Sequence, residues 1–179
     1  VYTIKVGIPQ ECPVKAFGRY YPERVDDVAW ENDLTAFRAY GPALQETGER
    51  AFGYDIWTKY NTTEPVVEAR YEGELNPDMK AKIAELGKTD PKAAQELYRS
   101  VSYHVDHGNG LDCYKVGPTL GGGTTALMAG DTIVYPYCYA TQEILDNGPL
   151  RFTVKLVYNP LVVKGDSTII ETRIITLDA

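Results

Sequence analysis

The chain has 179 residues, enough to bury a sizeable core, and 44% of them are hydrophobic, an ordinary share for a globular domain. Its formal net charge of −7 argues against a broad nucleic-acid interface, because phosphate recognition requires a basic face. No stretch of the sequence approaches the roughly 18 consecutive apolar residues of a membrane-spanning helix. The three cysteines lack metal-type spacing, so neither a zinc knuckle nor a disulfide framework is indicated.

The first predicted element is a strand over Val1–Val6, where apolar and polar residues alternate ahead of a proline. A second, aromatic strand is predicted over Lys15–Tyr21. The chain starts without methionine and ends in a strand-like sequence, so we expect a piece of a longer chain. We therefore expect residues 1–179 to form a single but incomplete domain.

The segment PERVDDVAWENDLTAFRAYGPAL carries two conflicting patterns. Its apolar residues fit one face of a helix, but over Leu34–Tyr40 they also alternate with polar neighbours. We predict a strand over Leu34–Tyr40, entered by the sequence WEND. The later sequence AFGYDIWTK, residues 51–59, predicts a loop that leads into a short strand or a single turn.

Helix signals are clear only between Asn76 and Ser100. Asn76 is a typical N-cap with a proline after it, and Gly87 is typical of a helix end. Asp90, followed by another proline, repeats the N-terminal signal. We therefore predict two short helices, broken at Gly87–Asp90 and inserted at about residues 76–100.

After residue 125 the pattern is all-β. Strands are predicted at residues 126–128, 132–135, 137–144, 150–158 and 167–177, separated by the turn sequences AGD, DNGP and KGD. Successive antiparallel strands at this spacing indicate a sandwich. The predicted fold class is mostly β, a β-sandwich with a small helical insertion.

Both histidines of the chain stand in one glycine-rich segment, YHVDHGNGLDCYKVGPTLGGGT, at positions His104 and His107. Together with Asp106 they could hold a mononuclear zinc ion, since two histidines and a carboxylate are common zinc ligands. The oxygen atoms of Asp106, Asn109 and Asp112 could instead hold Ca²⁺. A third interpretation needs no ligand: the glycines form turns, and the histidines cap the preceding helix.

Acid–base chemistry is a fourth interpretation of this segment. Histidine is the side chain whose ordinary pKa is nearest neutrality, and a carboxylate such as Asp106 or Asp112 can orient it. Tyr114 provides a proton donor close behind, and Lys115 provides a fixed positive charge. A phosphate-binding loop is not indicated, since GPTLGGGTT lacks the lysine of a Walker motif.

Three segments together carry a resemblance: PERVDDVAWENDLTAFRAYGPAL, AFGYDIWTK and YHVDHGNGLDCYKVGPTLGGGTTALMAGD. In this order they resemble the bacterial domain-of-unknown-function 4861 family of glycan-utilisation loci, whose members occur beside or fused to hydrolases of unsaturated uronyl sugars. Leu34 stands where we expect a basic residue in that family, and Cys113 where we expect an aromatic one. The resemblance implies a periplasmic or extracellular carbohydrate-active protein with a galactose-mutarotase-like β-sandwich (supersandwich). It implies no catalytic residues.

We expect an enzyme that acts on a uronate-containing oligosaccharide, namely a lyase. β-Elimination needs a base for the proton α to the carboxylate, an acid for the leaving oxygen and a cation for the developing charge. His107 or His104 would be the base and Tyr114 the acid. Lys115 or Arg38 would bind the carboxylate, and arginine is the better bidentate partner.

The expected substrate-binding residues are Trp30, Glu31, Asp33, Arg38, Trp57, Asp112 and Lys115, with the two tryptophans stacking on sugar faces. We also expect the two histidines to line one concave surface with Trp30, Glu31 and Asp33. Two alternatives stay open: a glycoside hydrolase that uses Glu31 and Asp33 as paired carboxylates, and a non-catalytic carbohydrate-binding or scaffold module. No cofactor is required by the sequence, although calcium is possible. The expected partner is an oligosaccharide, and other segments or chains are expected to complete the domain.

Overall fold

Four short antiparallel strands form the first sheet. In the computed structural model, which describes residues 3–8, 11–60, 64–163 and 165–179, they are β1 (Phe17–Tyr21), β2 (Asp27–Glu31), β3 (Thr35–Ala39) and β4 (Asp55–Thr58), paired in that order. The turn after β2 is closed by Asn32, whose side-chain oxygen accepts hydrogen bonds from the backbone of Leu34 and Thr35 at 2.9 and 3.0 Å. The strands predicted near residues 15–21 and 34–40 are confirmed.

The other strands lie in the second half of the chain. They are β5 (Leu127–Ala129), β6 (Thr132–Val134), β7 (Tyr139–Gly148), β8 (Arg151–Tyr158), β9 (Leu161–Val163), β10 (Asp166–Ile169) and β11 (Thr172–Asp178). β7, β8 and β11 form the second large sheet, in which β8 is central and both of its pairings are antiparallel. β5 pairs with β6, and β9 pairs with β10.

The two large sheets pack face to face around an apolar core. Alternation along the strands directs Val28 and Trp30 of β2, and Phe152 and Leu156 of β8, into this layer. Trp30 stacks on Phe152 with ring centroids 6.3 Å apart. The fold is mostly β and sandwich-like, while the finer galactose-mutarotase-like type stays a prediction.

The opposite face of the first sheet is covered by helix and loop. After the short helix α1 (Pro42–Glu46), helix α2 (Val66–Glu74) packs Val66, Val67 and Tyr71 against Trp57 on β4. Tyr103 of the histidine loop, which we define as residues 102–117, joins the same cluster. The first sheet is therefore buried on both faces, which explains why every residue of β2 is buried.

Two further helices confirm the predicted pair, with one correction. α3 (Pro77–Thr89) is capped by Asn76, and α4 (Pro91–Arg99) is capped by Asp90. Gly87 does not end α3, because its φ lies outside the left-handed region that typically terminates helices. The break lies at Asp90 alone. No helix in the described part of the chain is long and apolar enough to span a bilayer.

The strand predicted over Val1–Val6 is wrong at those of its positions that the structure describes. Residues 3–6 adopt no strand, and Val1 and Tyr2 lie outside the described residues. Ile4 is 93% exposed, so the alternating pattern meets no pairing strand in the described ranges. Alternation alone does not make a strand, since the backbone also needs a partner.

Candidate functional site

Arg38 lies among three buried carboxylates on the helix-covered face of the first sheet. Asp55 is its cross-strand partner on β4, and the two side chains form a close ion pair. The guanidinium also lies 3.8 Å from a carboxylate oxygen of Asp27 on β2 and 3.6 Å from one of Asp112 in the histidine loop. One cation thus faces three acidic groups, which we call the Arg38 cluster: Asp27, Arg38, Asp55 and Asp112.

Aromatic side chains hold the cluster in place. The Tyr71 hydroxyl donates to Asp27 Oδ2 at 3.2 Å, and the Trp57 indole N–H donates to Asp55 Oδ2 at 3.0 Å. Each carboxylate still keeps one oxygen that has no hydrogen-bond partner among the described residues: Asp27 Oδ1, Asp55 Oδ1 and Asp112 Oδ2. Buried carboxylate oxygens without donors favour a protonated carboxyl group.

Burial and charge together raise the pKa of two members of the cluster. The pKa of Asp112 is raised to about 7, first by burial and then by the neighbouring Asp55 carboxylate, against the opposing attraction of Arg38. Burial likewise raises the pKa of Asp27 to about 6, against the attraction of Arg38. Burial and the neighbouring carboxylate therefore favour the protonated form of Asp112.

The histidine loop docks on β4 by backbone contacts. The Thr58 N–H donates to the Leu111 carbonyl at 3.0 Å, and Arg70 of α2 donates to the Gly110 carbonyl at 3.0 Å. Gly110 has a φ of +104°, and a Cβ there would lie 1.8 Å from the Thr58 carbonyl oxygen. Only glycine fits this close approach, which places Asp112 over the sheet.

A cleft of about 210 Å³ opens over the Arg38 cluster. We call it the cationic cleft, and its lining is Arg24, Arg38, Tyr40, Glu49, Tyr103, His104, Asp112, Tyr114, Lys115 and Gly117. Five of the residues predicted for the site meet here: Arg38, His104, Asp112, Tyr114 and Lys115.

His104 is held by Asp112 at the edge of this cleft. Its Nδ1 lies 3.2 Å from the Asp112 carbonyl oxygen and 3.5 Å from Asp112 Oδ2. A carbonyl oxygen can only accept, so Nδ1 carries the proton in this hydrogen bond. The ring packs on Tyr103, with 4.6 Å between centroids, and its side chain is 44% exposed. In the neutral ring, Nε2 is then the basic nitrogen.

Two cations of the cleft form no ion pair with a carboxylate within the described ranges, although the buried Asp27 carboxylate attracts Arg24 from a longer distance. Lys115 makes no hydrogen bond or ion pair there, and Arg24 makes one long contact, 3.4 Å, to the Tyr103 hydroxyl. Lys59 does not join them, because its ammonium group is buried 2.8 Å from Glu31 Oε2. Glu49, also in the lining, provides a negative charge at the rim.

Several predicted site residues lie elsewhere. Trp30 is buried between the two large sheets, and Trp57 is buried beneath Tyr103. Glu31 accepts hydrogen bonds from the backbone of Val66 and Val67, and so caps α2. The predicted concave surface shared by the histidines with Trp30 and Glu31 is therefore absent from the described structure, since both residues are buried.

Of the remaining predicted residues, Tyr114 lines the cleft, but its hydroxyl already donates a hydrogen bond within the chain. The Tyr114 hydroxyl donates to the Tyr54 carbonyl at 2.6 Å, and burial raises the pKa of this phenol. His107 contacts the Ser102 carbonyl through Nε2 at 3.0 Å and does not line the cleft. Asp33 is half-buried after β2 and does not line it either.

No group of three or more histidine, cysteine or acidic side chains in the described residues has metal-binding geometry. Asp106, predicted as a candidate ligand, is engaged within the loop. Its carboxylate accepts from the backbone of Gly108 at 2.8 Å and from the Tyr60 hydroxyl at 2.5 Å. Through these hydrogen bonds, Asp106 closes the loop.

Sequence patterns do not single out Asp27 and Asp55. The one available signal was the alternation of residues along the strands. In YDIWT it places Asp55 and Trp57 on the same strand face, and in AFRAY it places Arg38 and Tyr40 on the same side of the chain. Polar residues at alternate positions normally indicate a face in solvent. Here that face is buried under a third layer, which local sequence does not reveal.

One of the comparisons with known proteins identifies a family. No solved structure matches the chain significantly. A curated relative, "Uncharacterized protein P7" of Formosa agariphila, is 29% identical over 179 residues, a match that covers 96% of this chain and 39% of the relative. The chain thus spans about two fifths of that relative's length. The model of the family described as "Domain of unknown function (DUF4861)" matches residues 5–179, so the chain belongs to that family.

Proposed function

We propose that this chain is the sugar-binding part of a periplasmic or extracellular carbohydrate-active protein, and that it catalyses β-elimination at a uronate residue. One observation carries the proposal. The cationic cleft brings an accessible imidazole, His104, together with two cations that form no ion pair in the described structure, Arg24 and Lys115. Anionic sugars need such cations, and elimination needs such a base.

The charge of the cleft supports an acidic ligand. Although the chain carries a net charge of −7, the lining has Arg24, Arg38 and Lys115 against Glu49 and Asp112, and burial favours the protonated form of Asp112. Arg38 is neutralised by its own cluster, so Arg24 and Lys115 would bind the substrate carboxylate. A guanidinium can do this with two parallel hydrogen bonds.

The hydrogen bond of His104 supports a reaction sequence. With Nδ1 donating to Asp112, Nε2 would take the proton from the carbon α to the uronate carboxylate. Arg24 and Lys115 would stabilise the charge that develops on that carboxylate. The electron pair forms a carbon–carbon double bond as the bond to the glycosidic oxygen breaks. Tyr114 would give that oxygen its proton, after releasing the Tyr54 carbonyl.

The test is a panel of uronate-containing oligosaccharides, followed by the ultraviolet absorbance of the conjugated double bond that elimination creates. His104→Ala and Tyr114→Phe should each lower turnover by roughly two to four orders of magnitude, the usual range for a lost base or acid. His107→Ala is the matched control, and its turnover should stay within about two-fold, since surface substitutions away from a site have small effects. A chelator should leave the rate unchanged.

Other outcomes would contradict the proposal. Full activity of His104→Ala would exclude the imidazole as base. Oligosaccharide binding without absorbance on any uronate would favour the non-catalytic binding module. Hydrolysis without a double bond would favour paired carboxylates, but Glu31 is buried as the cap of α2 and is unsuited to that role.

A further inference from the structure

A second concave surface lies next to the cationic cleft. It encloses about 590 Å³, and we call it the aromatic hollow: Arg50, Phe52, Pro118, Ile133, Val134, Tyr135, Tyr137, Cys138, Tyr158, Asn159, Pro160, Leu161 and Val162. Phe52 forms its floor, with ring centroids 5.0 Å from Tyr135 and 5.2 Å from Tyr137. Tyr137 is 47% exposed, so its ring presents a broad surface to a ligand.

Consecutive residues of two loops line the two sites. Glu49 borders the cationic cleft, and Arg50, the next residue, borders the aromatic hollow. The histidine loop repeats this arrangement, with Gly117 on one side and Pro118 on the other. The two sites therefore share these two loops as common walls.

The chemistry of the hollow suits a sugar chain better than a purely apolar partner. A sugar ring carries C–H groups on its faces and hydroxyls at its rim, and tyrosine matches both with an apolar ring and a polar tip. Pockets with aromatic walls and a few polar groups are typical ligand sites. Among the described residues, the Arg50 guanidinium has no partner, so it can bind a charged substituent.

We infer that the aromatic hollow binds the sugar residues adjacent to the uronate in the cationic cleft, so that the substrate is an acidic oligosaccharide rather than a single sugar. The inference rests on the proposed function of the cleft. Tyr137 and Tyr135 stack on the neighbouring sugar residue, and Arg50 binds its acidic group. Longer chains therefore bind more tightly than a monosaccharide.

The experiment is calorimetric titration in the His104→Ala background, where elimination is slow. The probes are galacturonic acid, tetragalacturonide, tetramannuronate and the neutral xylotetraose. We expect at least one acidic tetramer to bind roughly ten-fold or more tightly than galacturonic acid. Tyr137→Ala should lower the affinity for that tetramer roughly ten-fold, since a lost aromatic contact has about this effect, and should leave the affinity for galacturonic acid unchanged. Arg50→Ala should weaken the acidic tetramer selectively.

Tyr98→Ala is the matched control, because this tyrosine is exposed on α4 and lines neither site. Equal affinity for monomer and tetramers would overturn the inference and leave the cleft proposal standing. If xylotetraose alone bound, and Tyr137→Ala weakened that binding, the proposal of an acidic substrate would be overturned, while a sugar site in the aromatic hollow would be supported. No binding of any probe would overturn both proposals, and the hollow would then be a surface that another segment or protein covers.

Discussion

Arg38 shows how one buried residue determines the chemistry of its surroundings. A buried charge is tolerated only when it is paired, and Arg38 is paired with more negative charge than it carries. The excess is relieved by proton uptake, which the raised pKa values of Asp27 and Asp112 express. Because Asp112 Oδ2 lies 3.5 Å from His104 Nδ1, the protonation of the cluster changes the charge beside the proposed base.

Asp112→Asn should change how stability depends on pH. Asp112 has a pKa of about 7 in the folded chain against an ordinary value of 3.8, so its proton favours the folded state at low pH. That contribution is lost as pH rises through about 7. Asparagine has no such proton to lose. The free energy of unfolding of the variant, relative to that of wild type, should therefore rise by on the order of 2 kcal/mol from about pH 5 to about pH 8.

Urea unfolding at both pH values measures this difference. Asp33→Asn is the control, and its difference from wild type should vary by less than about 0.5 kcal/mol over the same range. A difference for Asp112→Asn that does not vary with pH would refute the raised pKa.

At the scale of elements, the α3–α4 pair is formed mostly by local signals. Asn76 accepts hydrogen bonds from the backbone of Asp78 and Met79 at 3.0 Å, and Asp90 accepts one from Ala93 at 3.0 Å. α3 buries no residue, and α4 buries only Ala94. Caps and propensity, rather than core packing, therefore account for these helices. α2 differs, because its first turn is capped by Glu31 from a distant strand.

Gly87→Ala should stabilise α3 by about 0.5–1 kcal/mol, since alanine has the higher helix propensity. A Cβ at this position would meet only the Ala94 Cβ, at an ordinary 3.8 Å. Gly108→Ala is the matched control, because Gly108 has open space around it but a φ of +94°. That variant should be destabilised by roughly 1 kcal/mol. Thermal unfolding measures both, and a loss of stability in Gly87→Ala would contradict the helix through this residue.

At the scale of the whole molecule, Glu31 links the first sheet to the helical layer. Its carboxylate binds the Lys59 ammonium and the N-terminus of α2. Glu31→Ala should lower the free energy of unfolding by roughly 3–5 kcal/mol, because it leaves the ammonium buried without its anion. Glu31→Leu combined with Lys59→Met should recover most of this loss, since an apolar pair replaces both charges.

Chemical denaturation of both variants checks this prediction. If the double variant were as unstable as Glu31→Ala, most of the lost stability would come from the missing cap of α2 and not from the unpaired charge. If Glu31→Ala lost less than about 1 kcal/mol, the value of an exposed ion pair, then Glu31 would not be buried as described.

Local sequence determined the β-rich class, most of the strands, the two capped helices and the segment that holds His104, Asp112, Tyr114 and Lys115. Each depends on contacts within a few residues: alternation, an N-cap, or a glycine-rich loop. The false strand at residues 3–6 shows the limit, because a strand also needs a partner. The function, the localisation and the mutarotase-like type stay predictions.

The tertiary structure alone decided which polar residues are buried. Asp27, Asp55 and Arg38 look like an ordinary solvent-facing set until α2 and the histidine loop cover their face of the sheet. The covering segments lie tens of residues away, and no local pattern encodes that contact. Desolvation then raises the pKa of Asp112. The same packing buries both Trp30 and Glu31, which strand alternation places on opposite faces of β2. Burial is a property of the assembled layers, which is why the site's electrostatics required the fold.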